Sequence, residues 1–243
     1  MKHLMRWYSS RLEQDITLCR WGHWGQPVLL FPTAGGDAEE VERMHLIAAI
    51  TPLIEAGRIK VYSIDSVAGK ALADEEGSVE YRCWLLKQTG EYIVQEVLPA
   101  IVEDCDGVQN EVITAGASIG AFNAVATLCR YPHLFKSAIG MSGTYDLERL
   151  LGFQGNEDYF MSSPLRFIPT IHEEAMLHSL QSRFLVLPFG QGRWENPDES
   201  WQMAKVLGDR GIPNRVDSWS VDYHHDWPTW REMLPHYLDE LVA

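Results

Sequence analysis

A serine with a glycine two residues to either side, Gly116-Ala117-Ser118-Ile119-Gly120, can do nucleophilic chemistry when a strand precedes it and a helix follows. Both neighbours are written here. Val112-Ile113-Thr114 is a β-branched run suited to a buried strand, and Ala121 to Cys129 is a stretch of small and apolar residues at helical spacing. A turn this sharp throws the Ser118 hydroxyl out beyond the sheet edge. Side chains at Gly116 or Gly120 would collide with the neighbouring strand or helix. A serine hydroxyl is a poor nucleophile until a histidine accepts its proton, and a carboxylate has to orient that histidine.

Of the histidines that follow Ser118, two sit directly after an expected strand: His224 and His225, in Asp222-Tyr223-His224-His225-Asp226-Trp227. Either is placed to hang over the strand ends. For the acid, Gly190-Gln191-Gly192-Arg193-Trp194-Glu195-Asn196-Pro197-Asp198 follows the preceding strand and offers Glu195 and Asp198. Asp198 comes just after a proline at a helix start, where its duty is capping. Glu195 has no such competing duty and is the expected acid, with Asp198 as the alternative and Asp146 as a remote third. Two amides must meet the developing oxyanion. One belongs to Ile119, next after the serine. The other is expected from the loop after Pro27–Phe31, with Ala34 first and Thr33 second. Cys19, Cys83, Cys105 and Cys129 are far apart and form no C-x-x-C pair, and no histidine or cysteine shows metal-ligand spacing. Neither a metal nor an organic cofactor is expected.

These groups need a scaffold, and 243 residues with 46% hydrophobic content are enough for one well-filled domain over residues 1–243. Strands are expected over His3–Tyr8 and Ile16–Arg20 as an antiparallel hairpin, then over Pro27–Phe31, Ile59–Ile64, Val112–Thr114, Ser137–Met141, Arg183–Phe189 and Val216–Val221. Helical stretches alternate with them: from Asp37 to about Ile50, a further piece opened by Thr51-Pro52, a long helix over Val79–Cys105 that Pro99 kinks, then Asp198–Asp209 and Trp227–Leu241. The stretch from Val67 to Ser78 reads as a loop, and 143–180 as an irregular small lid or insertion. Alternation of this kind predicts an α/β architecture, a mostly parallel central sheet with helices on both faces. A formal charge of −14 argues against nucleic acid or an anionic membrane as partner. No signal-peptide core or membrane-length apolar run is seen, and scattered cysteines suit a reducing compartment, so cytoplasm is the expected location.

Three further passages carry a resemblance. Arg130-Tyr131-Pro132-His133-Leu134-Phe135-Lys136 leading to Met141-Ser142-Gly143-Thr144-Tyr145-Asp146 resembles the "YPxLF…SG.YD" passage of the esterase D-like branch of the α/β-hydrolases, which includes feruloyl esterases and mycolyltransferases. Glu96-Val97-Leu98-Pro99-Ala100-Ile101 is similar to a helix of that branch, and His225-Asp226-Trp227-Pro228-Thr229-Trp230 to its H-x-W-x-x-W ending. The resemblance spans roughly Pro27 to Leu241 and implies the α/β-hydrolase fold, with His225 rather than His224 as the base. Pro32-Thr33 stands where many relatives have His-Gly, and Glu195 where aspartate is more frequent.

The expected function is a serine carboxylesterase acting on a small-molecule ester through Ser118, His225 and Glu195, with the Ile119 and Ala34 amides holding the oxyanion. An acyltransferase with the same triad and a catalytically silent ligand-binding homologue are the alternatives, and a homo-oligomer is left open. Trp194, Trp227 and Trp230, close to the acid and the base in sequence, could line an aromatic pocket or simply fill the core.

Overall fold

The computed structural model describes residues 2–107, 111–152 and 156–242. At its centre is an eight-stranded sheet of β1 (Lys2–Ser9), β2 (Gln14–Trp21), β3 (Gln26–Phe31), β4 (Ile59–Ile64), β5 (Val112–Ala117), β6 (Phe135–Met141), β7 (Phe184–Val186) and β8 (Asn214–Arg215). Their spatial order is β1-β2-β4-β3-β5-β6-β7-β8. The hairpin β1–β2 joins β4 antiparallel, and every later pairing is parallel. All residues of β4 and β5 are buried, as a parallel sheet covered on both faces demands. Alternate side chains feed two cores. Leu29, Phe31 and Tyr62 pack on one face with the helices Val79–Tyr92 and Ile119–Arg130. Val28, Leu30 and Val61 pack on the other with Leu46–Glu55 and Trp227–Leu241.

Several elements differ from the sequence reading. Val67–Ala73 is a helix rather than a loop. Pro52 lies inside the helix Leu46–Glu55 instead of opening a new one, and the Thr51 hydroxyl bonds the Ile47 carbonyl just before it. The expected long helix is Val79–Tyr92 followed by a π-helical stretch, Ile93–Val97, and then Leu98–Asp104. Pro99 has no N–H to give, and the wider π turn absorbs the missing bond without a break. The two last strands are shorter than expected. Pro188 interrupts the ladder after β7, and Phe189 rejoins it through a bridge to Ser218. The stretch 143–180 holds the helices Glu148–Leu151, Glu157–Ser162, Pro164–Phe167 and Glu174–Gln181, with 153–155 outside the described residues.

One of the carboxylates that tie the antiparallel hairpin to the body is Glu96 of the π-helical stretch. Glu96 accepts hydrogen bonds from Trp7 Nε1 at 2.8 Å and from the buried Ser9 hydroxyl at 2.9 Å. That is a structural duty for the glutamate of the Glu96–Ile101 passage. Glu96→Ala leaves both donors unpaired, and the expected loss is about 2 kcal/mol in a denaturant titration with unchanged slope.

Candidate active site

The turn after β5 has the strain that its sequence implies. Ser118 adopts φ 57° and ψ −123°, a conformation a non-glycine residue rarely takes, and Ile119 then starts the helix. The glycines are required by contact: a Cβ on Gly116 would lie 2.3 Å from the Gly120 carbonyl, and one on Gly120 would lie 2.5 Å from the Phe31 carbonyl oxygen. The helix start is therefore pressed onto the end of β3, which brings the Thr33–Gly36 loop beside it. The loop after β6 holds the turn from its other side. Ser118 N–H donates to the Met141 carbonyl at 3.0 Å, and Thr144 N–H donates to the Ser118 carbonyl at 3.2 Å.

The expected acid is enclosed at this edge. The Glu195 side chain is 2% exposed. Its Oε1 accepts from the Ser142 hydroxyl at 2.7 Å and from Gly190 N–H at 3.1 Å, and its Oε2 faces His225 Nδ1 at 3.7 Å. Trp230 Nε1 in turn donates to the Ser142 oxygen at 3.0 Å, and the Trp230 ring meets His225 edge to face at 5.2 Å. Serine, glutamate and histidine are thus gathered through one loop. Met141 binds the Ser118 amide, and its neighbour Ser142 binds Glu195. The Ser118 hydroxyl has no hydrogen bond among the described residues. Free-enzyme contacts of this kind commonly tighten only when substrate is bound.

The neighbouring histidine has a different duty. His224 Nδ1 accepts from Arg193 N–H at 2.9 Å, and His225 N–H donates to the Arg193 carbonyl at 3.0 Å, so the two loops are laced together with His225 turned to Glu195. Asp198 is exposed on the first turn of the helix Pro197–Asp209 and makes no capping bond, contrary to the duty expected of it. Glu199, in the same turn, instead accepts from the Tyr145 and Asp146 amides of the loop after β6. Asp146 itself accepts from Glu148 N–H.

For the oxyanion, Thr33 is excluded: its N–H and hydroxyl are both bound to Glu40, at 2.7 and 2.8 Å. The Ala34 and Ile119 amides have no partner among the described residues. Of the three tryptophans, Trp230 is buried and holds Ser142 and His225, Trp227 packs against it, and Trp194 is 76% exposed. Sequence reasoning missed Ser142, although the Met141–Asp146 passage contained it; nothing in that passage shows a second serine with φ 46° aimed at the acid.

Gly190 and Gly192 let the acid and histidine loops touch. A Cβ on Gly190 would lie 2.0 Å from the Tyr223 carbonyl, a backbone atom that cannot yield. Gly190→Ala should cost about 1–3 kcal/mol, read as a lower melting temperature, with the histidine loop displaced.

Against this geometry, the comparisons with known proteins are consistent. The model of the family described as "Putative esterase" matches residues 58–241. No curated protein matches the chain. Among solved structures, a ferulic acid esterase is 15% identical with a TM-score of 0.76, over 100% of this chain and 98% of its own. An S-formylglutathione hydrolase from Agrobacterium tumefaciens is 13% identical with a TM-score of 0.73, over 100% and 94%. MPT51 from Mycobacterium tuberculosis is 13% identical with a TM-score of 0.71, over 100% and 98%. At such identities these likenesses establish the α/β-hydrolase fold. With the family model covering most of its length, the chain belongs to the esterase family of the α/β-hydrolases.

Proposed function

We propose that the protein is a serine carboxylesterase in which Ser118 is the nucleophile, His225 the base, and Glu195 the acid. The observation that carries this reading is the enclosed Glu195 carboxylate turned toward His225 Nδ1 at 3.7 Å and bonded to Ser142, whose neighbour Met141 accepts from the Ser118 amide. With Nδ1–H held toward Glu195, His225 Nε2 is free to take the Ser118 proton as Oγ bonds to the ester carbonyl carbon. The carbonyl oxygen becomes an oxyanion, and the amides of Ile119 and Ala34 are the donors assigned to it. Its collapse breaks the carbon–oxygen bond, and the histidine returns the proton to the departing alcohol. Water repeats the sequence on the acyl-enzyme, releasing the acid and restoring Ser118. No metal or organic cofactor takes part in these steps. Cytoplasmic location and a small-molecule ester substrate belong to the same reading. Among the described residues no helix is long and apolar enough to cross a membrane.

Ser118→Ala should abolish hydrolysis of p-nitrophenyl esters and labelling by a fluorophosphonate probe, with the melting temperature held. Retained turnover above a few per cent would remove Ser118 from the role. His225→Ala is expected to fall with it, whereas His224→Ala should lose loop order and little rate. Glu195→Gln, which offers the histidine the wrong partner, should lower kcat by about 10⁴-fold. Asp198→Asn should leave kcat and melting temperature unchanged, because its carboxylate is solvated and unbonded. Ser142→Ala removes one of the donors to Glu195 and should lower kcat roughly tenfold, at about 1.4 kcal/mol for one hydrogen bond to a charged group. Product analysis with and without added alcohol separates hydrolysis from acyl transfer.

A further inference from the structure

The loop that carries Ala34 is shaped by one carboxylate. Glu40, the first residue of the short helix Glu40–Arg43, takes both donors of Thr33: the N–H at 2.7 Å on Oε2 and the hydroxyl at 2.8 Å on Oε1. The chain then turns back on itself, and Gly36 N–H donates to the Thr33 carbonyl at 3.1 Å. Residue 36 has to lack a side chain for the carboxylate to sit there. A Cβ on Gly36 would collide with the Glu40 carboxyl group and lie 2.6 Å from Pro32 Cβ.

Backbone contacts hold the same loop on two further sides. Ser66 N–H donates to the Gly36 carbonyl at 3.0 Å, and Gly69 comes so near Ala34 that a Cβ there would lie 2.9 Å from the Ala34 carbonyl oxygen. A Cβ on Gly120 would lie 2.6 Å from the Pro32 carbonyl oxygen, so the start of the helix behind Ser118 is pressed against the residue before Thr33. The N–H and C=O of both Thr33 and Gly36 are therefore engaged, whereas the Ala34 and Gly35 amides between them have no partner among the described residues. The direction of the Ala34 donor follows from the peptide it belongs to. The Thr33 carbonyl and the Ala34 N–H share one trans peptide plane and point opposite ways. With that carbonyl turned in to Gly36, the Ala34 N–H is turned out of the loop.

We propose that Glu40 is a positioning residue for ester hydrolysis, one that fixes the Thr33–Ala34 peptide plane and so aims the Ala34 amide at the oxyanion; the inference rests on the esterase reading above. Glu40 acts through Thr33 and takes no part in the bond changes. Its two charge-assisted bonds also keep the Thr33 N–H and hydroxyl from competing for the substrate oxygen. A donor aimed in advance counts most where charge develops, so its effect belongs to the transition state rather than to substrate binding.

The test compares wild type with Glu40→Ala, Glu40→Gln and Thr33→Val, using p-nitrophenyl butyrate as substrate and a trifluoromethyl ketone as an inhibitor that mimics the tetrahedral oxyanion. Glu40→Ala should lower kcat at least about tenfold with KM within about twofold of wild type, and weaken the ketone by a factor like that in kcat. Glu40→Gln, whose amide oxygen still accepts from Thr33 N–H, should recover most of the rate. Thr33→Val loses the hydroxyl bond alone and should fall between wild type and Glu40→Ala. A role confined to the scaffold would lower the melting temperature of Glu40→Ala while leaving kcat and the ketone unmoved, and that result overturns the proposal. So does a Glu40→Gln variant as slow as Glu40→Ala, or a loss in Glu40→Ala that appears in KM instead of kcat. If Glu40→Ala does not fold, Thr33→Val decides: a several-fold fall in kcat at constant KM supports the proposal, and an unchanged kcat overturns it. Wild type that neither hydrolyses the ester nor takes up a fluorophosphonate probe ends the esterase reading and the positioning role with it. An active wild type with an equally active Glu40→Ala overturns the positioning role alone.

Discussion

A carboxylate sealed from water must be answered by hydrogen bonds, and the candidate catalytic edge of this protein is arranged around answering Glu195. Its donors come from separate parts of the chain: Ser142 from the loop after β6 and the Gly190 amide from the loop after β7. His225 faces it from the loop that leads into the last helix, and Trp230 in that helix fixes the Ser142 oxygen. In a medium where an unpaired polar group is costly, this convergence fixes the carboxylate in position. The imidazole beside it inherits that fixity. A solvated carboxylate such as Asp198, with no bonded neighbour, could not provide the same orientation.

Close approach is the second constraint. Gly116 and Gly120 let the β5 turn lie against the end of β3, and Gly190 and Gly192 let the acid loop lie against the histidine loop. Three non-glycine residues at this edge, Ser118, Ser142 and Trp194, have positive φ. Each such residue costs of the order of 1–3 kcal/mol and survives only where the surroundings over-determine it. Here the surroundings do so through main-chain bonds among the Ser118, Met141 and Thr144 positions. Rigid backbone of this kind leaves little reorganisation to be made when charge develops on a bound ester.

The parallel body of the sheet was legible because its strands are continuous apolar runs and its turns carry glycine at fixed offsets. The strand–turn–helix of the elbow and the helix Trp227–Leu241 were legible for the same local reason. What could not be read depended on partners distant in sequence. Helix Val67–Ala73 looks like a loop because its residues are small, and it forms against the Ala34 backbone, which a Cβ on Gly69 would approach to 2.9 Å. The role of Ser142 and the non-role of Asp198 at its helix start are likewise tertiary. Local spacing brings His224 and His225 equally near the sheet edge; the Arg193 main chain separates them, and it lies 31 residues from His224.

The sheet's two margins also bear on association. An uncovered strand edge is a template on which another chain can add itself, and folded proteins disarm such edges with brevity or charge. Here β8 has two residues, and the Arg215 guanidinium is spanned by both oxygens of Glu240. At the opposite margin β1 bears Lys2, His3 and Arg6 along its length. Neither margin offers a long flat row of apolar residues, so growth into strand-swapped or fibrillar assemblies is disfavoured at both ends of the sheet.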